Sequence, residues 1–422
     1  MVVLTYKALN SLGPTMYLRD HLSSGIPTTV LLCLFLWAIC YDFIWSRIPP
    51  EFEHPLKLRV IHWILIMVLG AGRICESLGI CRQLDVVRYV VDLKKTKLDP
   101  SLFTKDLLFD GIPVRVYQPK APLAGRRKGM LLFHGGAGLI GTIDLYQDIS
   151  NNIAKNADIV LVSVGYGLSP EHPYPSQYTQ CLAATVHFLK NAEDYGVDPS
   201  QVILLGDSAG GNIAAFIAKK LTERPDLPKL RAQVLIYACL QGLDFNLPSY
   251  MQNAWMPILY RENAVKFGLQ YLRKDPALRD DVLRGCHVPE DLRLKYRKWV
   301  NANNIPEKFK GRGYPPVTLA PHKPPLHEQV PELLQATYSA ILSEDHIIKQ
   351  LPETFIVSCE YDILRDDNLL FKKRLEDCGV KVRWFHSEQG FHGVMNLANP
   401  GLFYFPAGVE ILDCIIDFVK SL

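Results

Sequence analysis

One stretch constrains this chain more than any other: residues 202–217, in which an apolar run, a glycine-flanked serine and a small-residue segment follow one another without a break. Residues 202–205 have the β-branched and aliphatic character of a strand buried on both faces. Residues 209–219 are rich in small and apolar helix formers. The junction, Gly206-Asp207-Ser208-Ala209-Gly210, is a G-x-S-x-G turn. A serine at such a corner stands with its hydroxyl clear of the sheet, and its glycine neighbours allow strand and helix to approach without a Cβ between them. The motif alone also suits an ordinary strand-to-helix loop, so the nucleophile reading depends on what surrounds it.

The surroundings repeat the strand–helix alternation. Residues 107–109 and 114–117 read as a hairpin around Asp110-Gly111. Residues 129–133, 159–164 and 232–237 read as buried strands, with helices over 144–154, where Asp144 stands near the N-cap, and 177–191. The alternation stops near Gly242. Residues 243–347 are polar, proline-bearing and irregular, with short helices near 263–272 and 289–299, and read as an insertion or lid. The pattern then resumes with a strand at 354–359, a helix over 367–378, a strand at 380–385 and a closing helix over 406–420. Strands alternating with helices imply a mostly parallel sheet covered on both faces. The core is therefore assigned to 106–242 and 348–422, split by the insertion.

The N-terminal hundred residues differ. After a tail over 1–25, residues 26–45 carry one charge, Asp42, and are otherwise dominated by Leu, Val, Phe, Trp and Ile. That is about the twenty residues needed to cross a bilayer, with Trp37, Tyr41 and Trp45 as interfacial anchors. The apolar stretch is long for a cleaved signal peptide and no A-x-A site follows, so an uncleaved anchor is the reading. Charges on either side, Lys7 and Arg19 before and Arg47, Lys57 and Arg59 after, do not fix its orientation. Residues 46–105 form a membrane-proximal or cap segment. Within it the apolar patch 60–71 is too short to span by itself and suits a buried helix, a membrane-dipping helix or a pocket wall; a second crossing would need it to extend to Cys81, past Arg73 and Glu76, which are costly in a bilayer.

Composition excludes other classes. A net charge of +3 without a basic block gives no reason to expect a nucleic-acid partner. Ten scattered cysteines show neither C-x-x-C nor zinc spacing, and no metal or cofactor is implied.

A serine hydroxyl needs a base, and the base an orienting acid. In chains built on this elbow the order is serine, acid, histidine. Asp362 follows the strand at 354–359, where an open α/β sheet delivers site residues. Glu360 is its main rival, while Asp366 and Asp367 suit caps of the next helix. His392 follows the last strand as the base, with His386 as the weaker alternative. His134-Gly135-Gly136-Ala137 lies between a strand and the next helix, where its amides turn toward the serine. The oxyanion donors are assigned to Gly136 and Ala137, assisted by Gly135, with Ala209 supplying the amide after the nucleophile.

His134-Gly-Gly-Ala, the run from Tyr166 to Pro175, Gly206-Asp-Ser-Ala-Gly210, the run from Glu360 to Asp366 and Gly390-Phe-His-Gly393 together resemble the hormone-sensitive-lipase group of α/β-hydrolases. Within it the chain is similar to the arylacetamide deacetylase-like proteins, the type 4 relatives nearest in pattern, from about residue 20 to the C-terminus. The resemblance implies an eight-stranded, mostly parallel α/β-hydrolase sheet with a helical cap. It implies a serine esterase with Ser208, Asp362 and His392 as triad, and no cofactor. Its partners would be a small lipophilic ester or amide and membrane lipid. It also implies a single-pass type II anchor and a catalytic domain in the endoplasmic reticulum lumen. Two other functions fit the same features: an acylglycerol or sterol-ester lipase, and a non-catalytic relative that binds a lipophilic ligand. The chain departs from the family at Ala137, the usual third glycine, and at Gly167, the usual arginine. No acidic residue stands near Thr179 and Gln180. Leu139 replaces a cysteine that can pair with the one before the acid, leaving Cys359 without that partner. The three triad residues are retained.

Overall fold

Val202, Ile203, Leu204 and Leu205 are wholly buried at the centre of an eight-stranded sheet, each contributing about 1.5–3 kcal/mol by leaving water. The computed structural model describes residues 28–93, 97–314 and 317–422, so the expected tail over 1–25 lies outside the described residues. Two compact units divide between Lys95 and Thr96.

The larger unit holds β1 (Leu102–Phe109), β2 (Ile112–Pro119), β3 (Arg127–Phe133), β4 (Val160–Val164), β5 (Val197–Asp207), β6 (Ala232–Ile236), β7 (Glu353–Tyr361) and β8 (Val382–Phe391). Their spatial order is β1-β2-β4-β3-β5-β6-β7-β8. The β1–β2 and β2–β4 pairs are antiparallel and all others parallel. The Asp110-Gly111 hairpin forms as expected, with φ of 49° and 83° at its two central residues, the backbone a two-residue type I′ turn demands.

In the same unit, α4 (Gln147–Ala157) packs on α14 (Pro406–Ser421), and α5 (Ser176–Lys190) on α6 (Ala209–Thr222). The first of these starts three residues later than the sequence suggests. Asp144 does not cap it, because its carboxylate pairs with Arg115 at 2.6 Å. Between β6 and β7 the chain leaves the sheet through short helices, α7 (Pro248–Gln252), α8 (Arg261–Tyr271), α9 (Arg279–Leu283), α10 (Glu290–Tyr296), α11 (Pro324–Gln329) and α12 (Asp345–Ile348), before α13 (Arg365–Asp377) follows β7.

The N-terminal unit contains α1 (Thr28–Trp45), α2 (Pro55–Ser77) and α3 (Gln83–Asp92). The twelve-residue patch at 60–71 is the middle of α2, whose 23 residues span about 34 Å at 1.5 Å per residue. By length and composition the helix could cross a bilayer, the second crossing that the sequence leaves open. Pro55 starts the helix, and Lys57, Arg59, Arg73 and Glu76 lie within its end turns, so charge ended the apolar run while the helix continued. Asp42 on α1 is 1% exposed and locks the two helices together. It accepts from Arg59 at 2.6 Å and from Trp63 at 3.0 Å.

Candidate active site

Ser208 caps the N-terminus of α6 with φ 53° and ψ −121°, a conformation L-residues avoid unless their surroundings enforce it. The enforcement is visible. Its N–H donates to the Ile236 carbonyl at 2.9 Å. A Cβ at Gly206 would strike the carbonyl oxygen of Gly210, and one at Gly210 that of Phe133. The two glycines let strand, elbow and helix close on one another.

Three residues from distant elements meet at this corner. Ser208 Oγ lies 2.9 Å from His392 Nε2, and His392 Nδ1 lies 2.8 Å from Asp362 Oδ2. β7 runs on to Tyr361, so Asp362 leaves its C-terminal end. β8 runs to Phe391, six residues further than the sequence suggests, so His392 starts the next loop. Asp362 is 1% exposed. Its other oxygen accepts the Leu364 N–H at 2.9 Å, which fixes the carboxylate plane. Burial pulls the His392 imidazole down, but the Asp362 charge and hydrogen bond, with the charge of Asp207, outweigh it and leave its pKa raised.

The competing residues serve elsewhere. Glu360 Oε1 accepts from Arg312 Nε and Arg365 Nη1, both at 3.0 Å, and Glu360 Oε2 lies 3.2 Å from His386 Nε2. Burial would raise the Glu360 carboxyl; the His386 hydrogen bond and the two arginine charges reverse this and hold it at about 2. His386 Nδ1 is 2.9 Å from Ser358 Oγ, a second hydroxyl–imidazole–carboxylate chain. Ser358 is wholly buried within β7 and also accepts from Trp384 at 2.9 Å, so this chain ties strands together and presents no nucleophile. Asp366 and Asp367 stand in the first turn of α13, but their side chains turn away from it. Asp366 takes the Ser249 N–H at 2.7 Å. Asp367 takes Leu240 N–H at 3.2 Å and Gln241 at 2.9 Å, and burial lifts it to about 7 against those bonds.

The loop after β3 curls beside Ser208. Among the described residues, the N–H groups of Gly136, Ala137 and Ala209 have no acceptor, so they are free to meet an oxyanion. Gly135 differs from the expectation: its N–H donates to Asp207 Oδ1 at 2.8 Å and to the Tyr146 hydroxyl at 3.0 Å. It anchors the loop. His134 is buried at 1% exposure, and burial pushes its pKa down to about 4. It stacks on Tyr166 with centroids 4.2 Å apart, and its Nδ1 lies 2.8 Å from the Gly135 carbonyl. A neutral, packed imidazole of this kind shapes the loop.

Two residues that sequence reasoning missed hold this arrangement. Asp207 accepts from Gly135 N and from Tyr146 at 2.9 Å. Burial raises its carboxyl to about 6, opposed first by the Tyr146 hydrogen bond. Asp207 stood inside the motif and was legible as a position, whereas Tyr146 had no local signal. The family departures also find physical accounts. Gln180, where an acid was absent, accepts the Gly167 N–H at 2.7 Å. Leu139 and Cys359 are both buried, and Cys359 is a free thiol. Ala137 sits at φ 56°, where a Cβ costs about 1 kcal/mol. Ala137→Gly is therefore expected to raise stability by about 0.5–1 kcal/mol, read as a higher thermal midpoint; an unchanged or lower midpoint would show the loop unstrained.

An open cavity of about 820 Å³ lies beside the same loop, lined in part by Leu107, Val114, Arg115, His134 and Tyr166. Among the described residues no cluster of His, Cys, Asp or Glu is arranged to hold a metal.

The α/β-hydrolase family model matches residues 130–294 and 327–396. The chain is 43% identical to human arylacetamide deacetylase-like 3 over 92% of its length and 95% of the relative's. It is 42% identical to human arylacetamide deacetylase-like 4 over 93% and 96%, so the two types match about equally. It is 34% identical to cattle arylacetamide deacetylase over 86% and 92%. Among solved structures, a thermostable esterase from Pseudomonas putida ECU1011 aligns with a TM-score of 0.61 at 22% identity, covering 89% of this chain and 98% of the other.

Proposed function

Because the chain belongs to the arylacetamide deacetylase-like family of α/β-hydrolases, and is a serine hydrolase of the carboxylesterase and deacetylase class, we propose that it cleaves esters or amides of lipophilic substrates through an acyl-enzyme on Ser208 while held to a membrane. One observation carries the reading: the unbroken Ser208–His392–Asp362 hydrogen-bonded chain.

In the first step His392 Nε2 takes the Ser208 proton as Oγ attacks the substrate carbonyl, and Asp362 stabilises the imidazolium that results. The oxygen of the tetrahedral intermediate is met by the amides of Gly136, Ala137 and Ala209; one such donor is worth roughly 10²–10³ in turnover. The imidazolium protonates the departing alcohol or amine. Water then enters, gives a proton to His392 as its oxygen bonds to the acyl carbon, and the bond to Ser208 Oγ breaks; His392 returns the proton to Oγ and the acid is released. The name of the cattle relative, arylacetamide deacetylase, supports aryl acetamides among those substrates.

The N-terminal unit supports the membrane half of the reading. Leu32, Phe43 and Ile44 on α1 are 55%, 84% and 66% exposed, and α2 has the length and hydropathy of a span. A bilayer would cover such side chains at no cost in water-exposed apolar surface. A type II placement, with one of these helices as the single crossing and the catalytic unit in the endoplasmic reticulum lumen, is part of the proposal, resting on the family resemblance.

The test is steady-state hydrolysis by the full chain in detergent, across aryl esters from acetyl to palmitoyl and one aryl acetamide. Turnover that is highest for short acyl groups supports the reading. A maximum at long chains would favour a lipase, and no turnover by folded protein would contradict an esterase.

A further inference from the structure

The acid of the triad is held by a clamp from outside the sheet. Asn253 is 2% exposed and lies just after α7, in the stretch between β6 and β7. Its amide nitrogen donates to the backbone carbonyls of both Glu360 and Asp362, each at 3.0 Å. Its amide oxygen accepts from Arg312 Nη1 at 3.0 Å. Arg312, 59 residues further on, donates from Nη2 to the Glu360 carbonyl at 3.0 Å and from Nε to the Glu360 carboxylate at 3.0 Å. Its guanidinium also lies over the Tyr361 ring, 5.1 Å from the centroid.

We propose that Asn253 and Arg312 are positioning residues for the reaction, which hold the chain on either side of Asp362 so that its carboxylate stays in line with His392. The proposal rests on the esterase reading above. Asp362 sits in a loop beyond the end of β7, where no neighbouring strand fixes the backbone. Two carbonyls, that of Glu360 near the end of β7 and that of Asp362 itself, share a single amide donor, and Arg312 pins that amide. With the Leu364 N–H on Oδ1, the carboxylate has one oxygen left, and it points at His392. A displacement of about 1 Å at such a site costs on the order of 10² in rate. Because both clamping residues come from the insertion, the acid is in register only when the insertion is folded against it.

The groups that face His392 are Ser208, Asp362, Asp207 and the Tyr237 ring, 5.2 Å away. Of these, Asp362 does most to favour the imidazolium. Loosening Asp362 therefore weakens the imidazolium, and the base is freed of its proton at lower pH.

The experiment is the pH profile of kcat/KM for a short-chain aryl ester, on the wild type and on Asn253→Ala, Arg312→Ala and Arg312→Lys. Both alanine variants should lose roughly 10- to 100-fold in kcat, with KM little changed and the acid limb displaced to lower pH. Arg312→Lys keeps the charge but loses the planar fork, so it should fall between; it carries the test alone if the alanine variants do not fold. Unchanged kcat, or a fall in kcat with the acid limb unmoved, would overturn the clamp and leave these residues with a structural role. A folded wild type that hydrolyses no ester would contradict the esterase reading itself, an outcome distinct from either.

Discussion

Ser208→Ala is expected to lower kcat for a short-chain aryl ester by ~10⁶-fold, to the level the binding site and oxyanion donors supply without a nucleophile. The size of the effect follows from the site's construction. The elbow delivers one hydroxyl to His392, and the second serine bonded to a histidine, Ser358, is wholly buried within β7. The fold should survive the change. Ser208 holds its neighbours through backbone bonds, from its N–H to Ile236 and from Cys239 to its carbonyl at 3.3 Å, which alanine keeps. Residual turnover within tenfold of wild type, in protein that melts at the same temperature, would remove Ser208 from the mechanism.

Asp362→Asn is expected to cost about 10⁴ in kcat at neutral pH. An amide at this position presents an N–H or a neutral oxygen to His392 Nδ1, and so loses both the tautomer control and the charge that stabilises the imidazolium. The pH dependence adds an independent sign. The pKa of His392 is raised above the ordinary histidine value, and the base works only when neutral. Wild-type activity should thus fall as pH drops through that raised value. In Asp362→Asn the two contributions that Asp362 makes are gone, burial dominates, and the acid limb should move to lower pH. A limb that stays in place, or moves up, would mean that another group is titrating. Glu360 is the natural suspect, but His386 and two arginines already occupy its oxygens.

Most of the sheet, and the meeting of Ser208, His392 and Asp362, were legible because each rests on short-range signals. The strand at 202–205 announced itself by apolarity, the elbow by its glycines, and Asp362 and His392 by their places after strands. What the sequence could not display was long-range. Nothing near Glu360 says that Arg312 will bind it from 48 residues away, so acid and rival were separable only by position. Gly135 was read as assisting Gly136 and Ala137. Its difference lies in Asp207, 72 residues on, which takes the Gly135 N–H. α2 was underestimated for the opposite reason, since local charges hid a continuous helix. Asp42 seemed a charge at the edge of an anchor, and is a buried link to Arg59 and Trp63.

The most direct test of the central claim is covalent capture by a fluorophosphonate probe at neutral pH, with the modified peptide identified by mass spectrometry. The account predicts one phosphonylated residue, Ser208, on the folded wild type, with labelling slowed at least about a hundredfold in His392→Ala, because the hydroxyl then lacks its base. Folded protein that takes up no probe, or takes it up at another residue with Ser208 intact, would contradict it.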